Sequence, residues 1–227
     1  MTPERFEKLR RTLQRRQPDL TVLADSVNKP HNVSAILRTA DAVGIHRVHA
    51  ISASGAMRRH HMIAGGAKRW VDVVLHPSIE TAIERLHADG WRLVAAHGSP
   101  RARDFRDVDY TAKVAVLLGA ELVGLSSAAL DRADVHVAIP MRGLGQSLNV
   151  SVAAAVILFE AERQRTAAGL YAQSRLPTDE YERTLFEWCY PEVAARCREL
   201  GRAYPALTAD GMLTENPLLA VTPTGRR

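Results

Sequence analysis

The chain has 227 residues, 46% hydrophobic and 24% charged, ordinary proportions for one large globular domain with or without terminal extensions. Fourteen Gly and 11 Pro exclude a collagen-like or low-complexity chain, and no apolar run reaches the roughly 18–20 residues of a membrane span. Met1 to Arg16 has no apolar stretch to act as an export signal, and two cysteines, Cys189 and Cys197, make no disulfide framework, so a cytoplasmic location with reduced thiols is expected.

In chain order, Phe6, Leu9 and Leu13 recur at helical spacing, and Pro18 ends that helix. The rest of the segment is basic: Arg5, Lys8, Arg10, Arg11, Arg15 and Arg16 stand against Glu4 and Glu7. The whole chain carries +5 with a pI near 9.5, and its only lysines are Lys8, Lys29, Lys68 and Lys113. An arginine-dominated excess suits planar contacts with phosphate, so a polyanionic partner is plausible beside the alternative of a solvated helix face.

Leu20–Ala24 then reads as a strand, and Val33–Val43 as a helix closed by Gly44. Arg47–Ile51 and Val71–Leu75 are further strands. Ser78 caps a helix over Ile79–Ala88 that stops at Gly90. Trp91–Ala96, Lys113–Leu118 and Val135–Ile139 complete six strands of near-continuous apolar character, which predicts an α/β fold with a mostly parallel six-stranded sheet covered on both faces. The longest helix runs over Ser147–Ala168. Past it, Pro177, Pro191 and Pro205 punctuate two short helices, Asp179–Trp188 and Glu192–Leu200, and residues after Ala209 read as a loose tail. Three regions result: a basic N-terminal helix over 1–19, the sheet domain over 20–170, and a helical extension over 171–227.

Ligands of parallel sheets bind beyond the carboxyl ends of the strands, and three segments there carry polar residues. In the first, Asn32 has the character of a helix N-cap and Arg38 lies two turns further on, either a surface arginine or a functional one. The second is Gly119-Ala-Glu121-Leu-Val-Gly124, whose glycines admit a ligand close to the backbone. Its spacing is not that of the dinucleotide-binding loop. The third, Ile139 to Ser151, joins a strand through Gly143 and Gly145 to a helix start bearing Ser147 and Asn149, where unpaired N–H groups face outward. Ser147 reads equally as an N-cap, whereas Asn149 stands at the start of an otherwise apolar helix. The nine His form no HExxH motif, and none pairs with a Cys at metal-ligand spacing, so no metal is expected. Neither a GxSxG elbow nor a Walker A loop is present.

Together these segments resemble the three motifs of the SPOUT superfamily of S-adenosylmethionine (SAM) methyltransferases, and more narrowly the TrmH-type tRNA ribose 2′-O-methyltransferases. The similarity extends over Arg15–Val22, Lys29–Ile36, Arg38–Gly44, Asp104–Thr111 and Gln146–Val152, and into the tail at Leu185-Phe-Glu and Tyr190-Pro. It departs at Ala120, Leu122 and Val123, where more polar residues are usual.

The resemblance implies a trefoil knot in the C-terminal half of the sheet and a homodimer whose active sites are assembled across the interface. It implies SAM held by backbone loops at Ala96, Gly119, Ile139 and Leu148, with Asn32, Arg38, Glu121, Ser147 and Asn149 around the reacting ribose. The basic N-terminal residues, with Arg163 and Arg165, would grip tRNA. The reaction implied is methylation of the D-loop guanosine at tRNA position 18. An rRNA ribose methyltransferase of the same fold, or an RNA-binding relative without catalysis, are the alternatives. The family assigns Arg38 as the base, yet a free guanidinium titrates at about 12.5 or above. Either a desolvated pocket depresses that value, or a substrate phosphate takes the proton while Arg38 steers it.

Overall fold

The computed structural model describes residues 1–52, 69–120 and 123–215, which form two compact units. One spans Arg16–Gln173, and the other joins Met1–Arg15 to the chain from Ser174 onward.

The larger unit holds strands β1 (Leu20–Asp25), β2 (Arg47–Ile51), β3 (Asp72–His76), β4 (Arg92–Ala96), β5 (Arg103–Asp104), β6 (Val114–Gly119) and β7 (Val135–Ala138). They pair in the order β3-β2-β1-β6-β4-β7-β5, every pair parallel. The six expected strands are present among the described residues, and β5 makes a seventh. Two residues are too few to show an alternation in sequence. Only their register against β7, Arg103 beside Val137 and Asp104 beside Ala138, makes them a strand.

Strand alternation distributes the core to both faces. Val22 and Ala24 of β1, with Val114, Val116 and Leu118 of β6, face a cluster containing Val33, Ile36, Leu37, Ala154, Ile157 and Leu158. The last six lie on α2 (Pro30–Ala42) and α5 (Val150–Ala167), which pack against each other. Leu23, Ala115 and Leu117 face the opposite way, toward Ile79, Ala82, Ile83 and Leu86 of α3 (Ile79–Ala88) and Ala129 of α4 (Ser127–Arg132). Each Val, Leu or Ile among these contributes about 1.5–3 kcal/mol on burial. Strands covered on both faces are largely apolar, as is β1, buried at all six positions and polar only at Thr21 and Asp25.

Helix starts depart from expectation at two functional positions. In α2 the N-cap is Lys29 and Pro30 opens the helix, so Asn32 lies inside the first turn, its N–H donating to the Lys29 carbonyl at 3.0 Å. Proline needs no hydrogen bond from its own nitrogen and fits this opening position. In α5 the N-cap is Asn149 rather than Ser147, since Asn149 Oδ1 accepts the Ser151 N–H at 2.8 Å. Ser78 does cap α3, through a reciprocal pair with Thr81. Gly44 follows α2 at φ 81, the left-handed conformation that favours glycine.

In the smaller unit, α1 (Pro3–Gln14) buries the stripe Phe6, Leu9 and Leu13 and packs against α6 (Thr178–Cys189), which α7 (Pro191–Glu199) follows. Phe186 stacks on Tyr204 with ring centres 4.6 Å apart. Of the expected loose tail after Ala209, residues as far as Glu215 are folded, and those beyond lie outside the described residues. A turn is closed by Thr208 N–H to the Met212 carbonyl at 2.8 Å and Thr214 N–H to the Ala206 carbonyl at 3.1 Å. Both cysteines are buried and form no disulfide.

Candidate active site

The carboxyl ends of β1, β6, β4 and β7 are adjacent in the sheet, and the three polar segments emerge from them. Asp25 closes β1, is 3% exposed and pairs in register with Gly119 at the end of β6. Its Oδ2 accepts the Ser126 N–H at 2.9 Å, and its Oδ1 accepts the hydroxyl of Ser26 at 3.2 Å. Ser26 itself sits at φ 59, a left-handed conformation uncommon for a residue with a side chain. Asp25 thus ties the loop after β1 to the loop after β6. An acid after a strand is ordinary in a sequence, and nothing in the chain order announced this tether.

The β6 loop folds back on itself. Ala120 N–H donates to the Gly124 carbonyl at 3.1 Å, and Gly124 N–H returns a bond to Ala120 at 2.8 Å. A Cβ on Gly119 would overlap the backbone of Gly124 and Leu125. Only glycine fits there, which accounts for the first glycine of the motif. Glu121 and Leu122 lie outside the described residues.

Asn32 is 1% exposed. Its Oδ1 accepts a hydrogen bond from Asn149 Nδ2 at 3.2 Å, joining the first turn of α2 to the cap of α5. Asn32 Nδ2 is buried with no acceptor among the described residues. A buried N–H without a partner costs about 1–3 kcal/mol, so this donor marks a place where a ligand oxygen would be favoured. Arg38 is exposed and has no hydrogen-bond or ion-pair partner among the described residues. Six residues separate it from Asn32, about 9 Å along the helix and roughly a third of a turn around it. Within one chain, Asn32 and Asn149 come together while Arg38 lies on another face. Ser147 is exposed in the segment between β7 and α5.

The positions expected to hold SAM are alike in setting. All are half-buried: Ala96, Gly119 and Ile139 lie at or just beyond the carboxyl ends of three neighbouring strands, and Leu148 lies just before the N-cap of α5. Close-packed backbone of this kind, with glycine where a Cβ is excluded, fits an adenosine held by main-chain groups. The loop after β4 is fixed from outside: His97 N–H donates to the Val137 carbonyl at 2.9 Å. His136 Nε2 donates to the Leu130 carbonyl at 2.9 Å, and its Nδ1 is hydrogen-bonded to the Ser99 hydroxyl at 3.1 Å. This pairing was not legible in the sequence. No cluster of three His, Cys, Asp or Glu able to hold a metal occurs among the described residues.

The arginines expected at RNA divide sharply. Arg5, Lys8, Arg10, Arg11 and Arg15 are exposed, with Arg10 and Arg11 paired to Glu7 at 2.8 and 3.1 Å. Arg163 is exposed and paired with Glu160 at 2.8 Å. Arg16 and Arg165 are fully buried, which removes both from any surface contact. Arg165 donates to the carbonyls of Tyr110, Asp19 and Ala112, to Gln17 Oε1, and to Asp19 Oδ1 at 2.6 Å. Arg16 binds Asp41 Oδ1 at 2.5 Å and the Ile45 carbonyl at 3.0 Å, and burial lowers its pKa from the ordinary arginine value. A guanidinium with its donors turned onto main chain and carboxylate is a structural element.

Comparison with known proteins gives the same assignment. Residues 19–159 match the family model of the SpoU rRNA Methylase family, and residues 163–216 match that of its C-terminal region. The chain is 47% identical to the tRNA (guanosine(18)-2′-O)-methyltransferase of Escherichia coli K12 over 93% of both chains. It is 50% identical to the enzyme of that name from Thermus thermophilus, over 82% of this chain and 96% of the other. The crystal structure of a TrmH/SpoU tRNA modifying enzyme from A. aeolicus superposes with a TM-score of 0.76 at 37% identity, covering 84% of this chain and 97% of that one. A SpoU methyltransferase, AviRb of Streptomyces viridochromogenes, determined in complex with the cofactor AdoMet, superposes with a TM-score of 0.58 at 30% identity over 68% and 62%. With its parallel sheet, its polar carboxyl-end loops and these relatives, the chain belongs to the SpoU methylase family of SAM-dependent RNA methyltransferases.

Proposed function

We propose that this chain methylates the ribose 2′-hydroxyl of the D-loop guanosine at position 18 of tRNA. One observation carries the reading: the identity with enzymes of that name runs through 93% of the chain, extensions included, and not through the sheet domain alone. No helix among the described residues is long and apolar enough to cross a membrane, and the cytoplasm, where tRNA matures, is the expected location.

Bound SAM supplies a methyl group made electrophilic by its sulfonium. In-line transfer of that methyl to the ribose oxygen would release the hydroxyl proton. The protein therefore has to align two reactants and manage one proton. Asn32 Nδ2, buried and without a protein acceptor among the described residues, is placed to donate to a substrate oxygen. Asn149 holds its amide in orientation. Arg38 takes the proton or steers the phosphate that does. Glu121 and Ser147 flank the ribose by resemblance.

Arg38 and Asn32 lie on different faces of α2, which favours a site completed by Arg38 of a second copy. The outer side of α5 supports that dimer, since Val152 and Phe159, seven residues apart on one face, are 47% and 51% exposed. The trefoil knot belongs to the same reading. Arg5, Lys8, Arg10, Arg11, Arg15 and Arg163 meet tRNA phosphates. The ion pairs that Glu7 makes within this set are surface pairs, worth about 0–1 kcal/mol, and yield readily to a phosphate.

The test is incubation of the full chain with methyl-tritiated SAM and an unmodified tRNA transcript, followed by nucleoside mapping. Label in 2′-O-methylguanosine at position 18 is expected. Label on a base, or on another nucleotide, overturns the reading.

A further inference from the structure

Four surface arginines of the larger unit pair with carboxylates, whereas Arg38, Arg85 and Arg92 are exposed and make no such pair among the described residues. Arg47 binds Asp72 at 3.0 Å, Arg106 binds Asp104 at 2.8 Å, Arg132 binds Glu84 at 3.3 Å and Arg163 binds Glu160 at 2.8 Å. Three others lie near the carboxyl end of the sheet, at the β5 edge. Arg101, Arg103 and Arg142 are exposed, and none has a hydrogen-bond or ion-pair partner among the described residues. We propose that these three form a second RNA-contacting surface, which binds phosphates beside the methyl-transfer site and shares no residue with the basic N-terminal helix.

Register places the surface. Val137 of β7 is flanked in one row by Ala96 of β4 and Arg103 of β5. Strands lie about 4.8 Å apart, so Arg103 stands roughly 10 Å across the sheet from Ala96, a cofactor-loop position. Arg142 comes four residues after the end of β7, within about 14 Å of chain. Arg101 sits in a short loop fixed at two points. Ala102 N–H donates to the Ser99 carbonyl at 2.9 Å, and the Ser99 hydroxyl is held by His136 at 3.1 Å. The backbone that presents Arg101 is thus ordered before any ligand arrives, which lowers the entropic cost of binding. The neighbouring carboxylate, Asp104, does not neutralise the patch, because Arg106 occupies both of its oxygens, at 2.9 and 2.8 Å. Exposed guanidinium groups with no internal acceptor keep their donors for an external one, and planar forked donors match phosphate oxygens. β5 is the edge strand and α5 follows Arg142, so RNA laid across this edge would have its backbone held on the flank of the target ribose.

The proposal rests on the reading that RNA is the substrate, and its test separates the two. Binding of an unmodified tRNA transcript to the full chain is titrated across salt concentrations for the wild type, Arg101→Gln/Arg103→Gln/Arg142→Gln, the matching triple Lys variant, and Arg132→Gln. Each lost phosphate contact lowers the slope of log affinity against log salt by about 0.7–0.9. The triple Gln variant is expected to lose about 2 from the slope and to bind roughly tenfold or more weakly, with SAM affinity by calorimetry unchanged. The triple Lys variant should keep most of the slope, and Arg132→Gln all of it. A triple Gln variant with the wild-type slope and affinity overturns the proposal whatever its activity. Wild-type protein that binds with the full slope, loses it in the triple variant and yet transfers no methyl supports the surface while overturning the methyltransferase reading.

Discussion

Asn149 donates its side-chain N–H to Asn32 Oδ1 across 3.2 Å while its own Oδ1 receives the N–H and hydroxyl of Ser151 at 2.8 and 2.7 Å. One side chain therefore caps α5 with its oxygen and positions the first turn of α2 with its nitrogen. The two roles can be separated. In Asn149→Asp the carboxylate still caps, and a negative charge at a helix N-terminus is favourable, but it cannot donate to Asn32. The expected result is stability within about 0.5 kcal/mol of wild type by thermal unfolding, with kcat lowered tenfold or more, equivalent to about 1.4 kcal/mol or more of barrier. Asn149→Ala should lose both, with about 1 kcal/mol of stability gone.

Arg38 is exposed and without a partner among the described residues, so its removal disturbs no packing. Arg38→Ala should abolish methyl transfer while calorimetric SAM affinity and thermal stability stay near wild type. Substantial turnover in that variant would remove Arg38 from the chemistry.

Gly119→Ala should behave oppositely. The added Cβ meets the backbone of Gly124 and Leu125, which cannot swing aside as a flexible side chain can. The loop after β6 must then open, and loss of SAM binding in calorimetry should accompany any loss of activity. Full SAM affinity in this variant would separate the β6 loop from the cofactor site.

Arg165 is 0% exposed, and Asp19, its carboxylate partner at 2.6 Å, is mostly buried. Arg165→Met leaves that carboxylate, and the carbonyls of Tyr110 and Ala112, without their donor. About 3–5 kcal/mol should be lost in urea unfolding, the range for breaking a buried pair from one side. Arg165→Met with Asp19→Asn should recover part of it. A loss of tRNA affinity with stability intact would return Arg165 to the RNA-binding set.

His49 and His76 on adjacent strands are buried and joined, Nδ1 to Nε2, at 2.8 Å. Burial first, then the neighbouring His76 and the cations Arg47 and Arg85, push the His49 pKa down to about 4, with Asp72 opposing. Burial and Arg85 lower that of His76. The folded state holds His49 neutral in a range where the unfolded chain, titrating near 6.5, takes up a proton. Stability should be full above pH 6.5, fall as pH drops toward 4 by at most about 1.4 kcal/mol per pH unit from this group, and level off below. The pH dependence of urea midpoints for wild type and His49→Gln checks it, and the variant should show a shallower slope over that interval.

The parallel sheet was legible because strands covered on both faces are largely apolar, and helices packed on them must show a stripe, as α3 does with Ile79, Ala82, Ile83 and Leu86. The motifs were legible in the sequence: Asn32, Gly119, Ser147 and Asn149 lie at or near carboxyl-end loops and helix starts, while Arg38 lies in the third turn of α2. What each side chain does was not. An arginine in sequence is a charge without an address. Arg16 and Arg165 read like Arg101 and Arg103, yet the first two are buried and hydrogen-bonded while the latter two stand free of partners among the described residues. β5 exists only because β7 lies beside it, and Asp25 acts only because Ser126, 101 positions later, returns to it. Local patterning follows from burial along a single element, which the order of residues encodes directly. The pairing of distant polar groups depends on which strands become neighbours, and the packed fold alone decides that.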